Sequence, residues 1–185
     1  MSAPVDPGPQ KTGQQLRVEI IEAVTAGIAA SGIPDGWTLP MGQAWDPDTK
    51  EFLGASCSVA QTGTRRERFQ VDLHHAPVGD PLAFADMMGD YWKDQGYIVS
   101  PVGTPATGPG GRNYTENRAD RADGSLAAGA TAQDTLFVLS FYSECSTDPS
   151  LDRFAGPAGY REFDMLDPNP YYPTSSPTIT PYPDR

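Results

Sequence analysis

The chain has 185 residues, 38% of them hydrophobic, with 19 glycines, 19 prolines and a formal net charge of −11. That length fits one domain with tails, and no apolar run is long enough to span a membrane as a helix. The acidity disfavours binding to nucleic-acid phosphates or anionic lipid surfaces, leaving solubility or attraction to a basic partner as its uses.

Residues 1–13 contain Pro4, Pro7, Gly8, Pro9 and Gly13 and predict an extended, mobile linker. They show neither a basic nor an apolar leader region, and read as the stretch that follows a processed export signal. Thr12 is placed to cap the next helix, with Gln15 at capping-box spacing. Residues 14–31 read as that helix: Leu16, Ile20, Val24 and Ile28 recur every four positions beside Ile21 and Ala23, and Gly32 and Pro34 end it. Its stripe suits packing on a sheet of the same domain better than a membrane or a partner. Residues 33–50 carry five Gly and Pro residues with Trp37 and Trp45, and predict an irregular connection with a short strand within 37–45. The two tryptophans cover the core or offer a binding surface.

Residues 52–60 read as a strand and 61–64 as a turn. Residues 66–75 alternate, with Phe69, Val71 and Leu73 on one face and Arg68, Gln70, Asp72 and His74 on the other. This is a hairpin with one wet face. Asp80-Pro81 starts a second helix, with Leu82, Phe84, Met87, Met88, Tyr91 and Trp92 as its apolar face and Gly96 as its left-handed end. Tyr97-Ile98-Val99 opens a strand, 101–111 is a flexible loop, and 112–119 reads as a polar edge strand. Asp123-Gly124 marks a hairpin turn into a strand of small residues at 125–131. Residues 135–143 are apolar on both faces at their centre, which places that strand centrally.

After Cys145 the chain holds eight prolines in residues 146–185 and is expected to be extended. The domains expected are a linker at 1–13, a body at 14–146 and a Pro/Tyr-rich segment at 147–185. The order α-β-β-α-β-β-β with hairpin connections predicts an α+β fold: an antiparallel sheet of about five strands with two helices on one face.

Cys57 and Cys145 are the only cysteines, each in a strand-like run. One disulfide between them is the simplest use, and would place the protein outside the reducing cytosol. The alternative is two buried free thiols acting as small apolar groups. His74 and His75 point to opposite strand faces, whereas Asp72 and His74 share one. Those two would need a third group to hold a metal or work as an acid–base pair; a solvated strand end is the plainer account. Asp46-Pro-Asp48 lacks the later ligands of a calcium loop and reads as a turn. No nucleophile elbow, zinc-helix or phosphate-loop motif is present, so neither a catalytic residue nor a cofactor is assigned. Arg65, Arg66 and Arg68 form a basic cluster, a solvated strand guard or a contact for an acidic partner. Asn113-Tyr-Thr fits a glycosylation acceptor, a common pattern. The Pro/Tyr segment is either an interaction motif or a belt over the body.

The Pro-rich start at 2–13, Cys57, Asp94-Gln95-Gly96-Tyr97, Asp123-Gly124 and Ser143-Glu144-Cys145 together resemble the layout of small actinobacterial cell-envelope lipoproteins. The resemblance covers roughly 2–146 and implies an acylated cysteine just before residue 2, so that contact with a membrane runs only through that anchor. It implies no catalytic residues. The expected function is a non-enzymatic extracytoplasmic binding or structural domain, anchored at the envelope or secreted. Its partner is an unidentified protein or small ligand, met by the exposed sheet face and nearby loops, with Trp37, Trp45, Asp72 and His74 as candidate contacts. The alternative is an acidic cytosolic immunity protein that neutralises a basic toxin.

Overall fold

The computed structural model describes residues 10–48, 53–57, 67–103 and 114–153. The expectations for residues 1–9, Lys50-Glu51, the 61–64 turn, Arg65, Arg66, 104–113 with Asn113, and the tail from 154 lie outside the described residues.

Helix α1, Gly13–Ala30, begins as its sequence dictates. The Gln15 amide donates to the Thr12 hydroxyl, and the Thr12 amide donates back to Gln15 Oε1 at 2.9 Å. Strands β1 (Leu53–Ser56) and β2 (Glu67–His75) follow, then α2 (Pro81–Asp94), then β3 (Ile98–Gly103), β4 (Tyr114–Asp120), β5 (Leu126–Gln133) and β6 (Leu136–Ser143). Asp80 caps α2 through the Leu82 amide, Pro81 opens it, and Gly96 after it sits at φ +81°.

The strands form one antiparallel six-stranded sheet in the order β1-β2-β6-β5-β4-β3, an α+β fold with both helices on one face. β6 is central, flanked by β2 and β5, and its burial alternates strictly. Val71 and Ala128 flank Phe141, and Leu73 and Ala130 flank Leu139, so one inner face is continuous across three strands. Leu16, Ile20 and Val24 of α1 and Phe84, Ala85, Met88 and Trp92 of α2 close over it. The alanines of β4 and β5 make room for the bulkier α2, whose Phe84 stacks on Phe137 at 4.2 Å. Asn117, on the inner face, donates from Nδ2 to the Ala85 carbonyl at 2.8 Å.

Three local expectations change. β3 continues through Pro101 to Gly103, with a register shift between them, where a loop was expected from 101. Proline is tolerated there because β3 is the edge strand. β4 is not an edge: it lies between β3 and β5. The body also extends past 146. Pro149–Arg153 forms a 3-10 helix that docks Leu151, 3% exposed, into the core beside α1. Ser150 Oγ accepts from the Gly13 amide, and Gln10 Oε1 accepts from the Thr147 amide at 2.6 Å.

Cys57 and Cys145 are bonded, with Cα atoms 6.1 Å apart. The bond ties the end of β1 to the end of β6 across the strand between them.

Candidate functional site

The outer face of the sheet carries the alternate residues of β2, β4, β5 and β6, and among the described residues no helix covers it. Its strands align side chains in rows across it. Asp120, Ala127, Tyr142 and Gln70 lie side by side on β4, β5, β6 and β2, and Arg118, Gly129, Ser140 and Asp72 form the next row. Small residues on β5 between larger ones on both sides leave a trough of about 280 Å³, with Arg68, Gln70, Glu116, Arg118, Ser140 and Tyr142 among its walls.

Its polar groups are organised. Arg118 grips Asp120 through two parallel bonds, Nε to Oδ2 and Nη2 to Oδ1, both 2.8 Å. Gln70 Nε2 donates to Asp72 Oδ2 at 2.6 Å. The Arg68 guanidinium lies 4.6 Å over the Tyr142 ring, and its Nε has no hydrogen-bond partner among the described residues. Burial pushes the Tyr142 phenol up, and the Asp72 charge pushes it further, against a hydrogen bond with Ser140 and the Arg68 charge. Tyr142 therefore stays a neutral hydroxyl at physiological pH.

Of the residues singled out from sequence, Asp72 and His74 lie on this face, on the rows of Ser140 and Val138 respectively. Asp72 is engaged by Gln70, and among the described residues no group of three His, Cys, Asp or Glu side chains is placed to hold a metal. Trp37 is not a surface residue. It is 4% exposed, donates from Nε1 to the Ile33 carbonyl at 2.8 Å, and packs against His75 and Phe84. Its indole is apolar bulk that the end of the sheet needs, with its single N–H satisfied locally. Trp45 is half-buried against the same core. Asp46 accepts from the Asp48 amide at 2.9 Å, a turn as expected.

Sequence reasoning missed Glu116, Arg118, Gly129, Ser140 and Tyr142 as a group. The signal is present in β4, whose polar alternation reads as an edge strand but whose Glu116 and Arg118 line the trough. A second cleft, about 210 Å³, opens between the helices by Glu19, Tyr91, Trp92, Tyr97 and Arg121. There Arg121 Nε donates to Tyr97 Oη at 3.0 Å and Lys11 holds Glu19 at 2.8 Å, so these four groups are already paired. No protein-family model matches the chain, and no curated protein or solved structure is significantly similar to it.

Proposed function

We propose that this chain is a non-enzymatic extracytoplasmic binding domain of a cell-envelope lipoprotein, holding its ligand in the trough on the outer sheet face. The observation that carries the reading is the convergence of Arg68, Gln70, Arg118, Ser140 and Tyr142 around a floor of small residues on a face no described helix covers. A concave site with a few fixed polar groups is the usual form of a ligand site. The Cys57–Cys145 bond supports an oxidising compartment. The resemblance puts the anchor on an acylated cysteine just before residue 2, a position that holds Met1 in this sequence.

Two measurements on the full chain test this. Alkylation of non-reduced protein from cells with an export route should label neither cysteine by intact mass; two labels would overturn the compartment and favour a cytosolic toxin inhibitor. Amide spectra recorded with a fractionated envelope extract should move the Gly129 and Ser140 signals. Shifts confined to the cleft between the helices, or none, would overturn the site.

A further inference from the structure

We infer that the trough takes a neutral polyhydroxylated ring, a single saccharide unit, an inference that rests on the reading of the trough as the ligand site. Charge comes first. Two guanidiniums, Arg68 and Arg118, and the Glu116 carboxylate line the trough; Arg118 is already paired with Asp120 at its rim, and Asp72 lies beside Ser140 in the next strand. An anion would meet the carboxylates and a cation the guanidiniums, so neither sign is favoured. What the walls offer instead is donors interleaved with acceptors. Arginine and amide N–H groups only donate, carboxylate oxygens only accept, and the Ser140 and Tyr142 hydroxyls do both. A ligand that gives and takes hydrogen bonds from neighbouring atoms satisfies such a wall, and vicinal hydroxyls on a ring do so.

The floor carries the second part. Glycine inside a strand weakens it and commonly marks a place where something approaches the backbone closely. Gly129 sits in β5, one of the two central strands, yet the fold does not require it. A Cβ there would meet only the Asn117 carbonyl at 3.5 Å and the Ser140 Cβ at 3.9 Å, ordinary contacts, and its φ is not positive. The bare backbone lets one face of a puckered sugar ring lie close against the sheet. At about 280 Å³ the trough lies at the small end of ligand sites, suited to one ring. Arg68 is the adjustable wall. Its Nε has no acceptor among the described residues, so lifting the guanidinium from Tyr142 toward a ligand hydroxyl breaks no described bond at that nitrogen.

The test is an amide-shift titration of the full chain with methyl glycosides of glucose, galactose, mannose and arabinose, alongside inorganic phosphate and tetramethylammonium. At least one glycoside should shift the Gly129, Thr131 and Ser140 amides to saturation, with no response there to either ion. Gly129→Val, whose Cβ meets only ordinary contacts and whose methyls fill the floor, should weaken that glycoside by at least about tenfold while leaving the urea midpoint at or above that of the parent. The inference is overturned if no glycoside saturates, if phosphate or tetramethylammonium moves the same amides, or if Gly129→Val binds equally well. Should the glycosides fail while the envelope extract still moves these amides, only the ligand class falls. Should both fail, the site falls with it.

Discussion

At Gly27 the first helix touches the sheet where a side chain is missing. A Cβ there would lie 2.5 Å from Cζ of Phe141, a ring 1% exposed and held between Val71 and Ala128. The ring cannot swing away without disturbing its neighbours, so Gly27→Ala is expected to destabilise by about 1–3 kcal/mol despite its better helix propensity. Urea unfolding measures this, and an unchanged midpoint would mean that the ring yields at no cost. Tyr142 makes a pH-dependent prediction. Its phenol is held above the ordinary tyrosine value, chiefly by burial. Below about pH 10 it is neutral folded and unfolded, and its contribution is fully present. Above that the unfolded chain ionises first, and stability falls as pH rises through the folded value. Tyr142→Phe should flatten the alkaline limb of the stability profile; Tyr91, raised by its own burial, keeps part of the slope. A profile identical to the parent's would show that Tyr142 ionises as freely in the fold as outside it.

The helices start where their caps say they must. Thr12→Ala removes the hydroxyl that the Gln15 amide meets, and Asp80→Ala the carboxylate that the Leu82 amide meets. Each should cost about 1 kcal/mol, read as a drop in the urea midpoint, and the two should add because the caps lie on separate elements. These starts were legible in the sequence because a cap is a local bargain struck within four residues. The alternation of β2 and the central place of β6 were legible for a similar reason, since period-two patterning needs no partner to be seen. What lay beyond reach depended on register. Gly129 faces Arg118 only because β4 and β5 pair in one particular way, and four strands had to be aligned before the trough existed. Trp37 was ambiguous because a loop tryptophan with an irregular backbone has no period to show its direction. The polarity of β4 was visible but misassigned, since an edge strand and a strand lining a wet trough carry the same pattern. Leu151 was hidden by proline content, which rules out long helices but permits one tight 3-10 turn.

At the scale of the whole molecule, the Cys57–Cys145 bond closes a loop with a sequence separation of 88. On the chain-entropy account it should contribute about 4.5 kcal/mol by restricting the unfolded chain. The Cys57→Ser, Cys145→Ser double variant, and the parent under reductant, should lose similar stability in urea; a loss in one but not the other would point to damage at the serines rather than to the missing link. Ion pairs add a smaller global effect. Burial alone would lower the Lys11 ammonium, but the hydrogen bond to Glu19 and the charge of Glu144 outweigh it and raise the group. Its contribution is thus present below the ordinary lysine range and lost as pH rises through the raised folded value. The same disulfide also divides the chain mechanically. Arg68 to Tyr142, and so every wall of the trough, lie between the two cysteines, while α1, β1 and the 3-10 helix lie outside them. Tension applied at residues 10 and 153 would run along those outer segments and cross at the sulfur–sulfur link. Strands β2 to β6 would sit in a covalently closed bypass, and could not be drawn out straight by any pull on the two ends while that link holds.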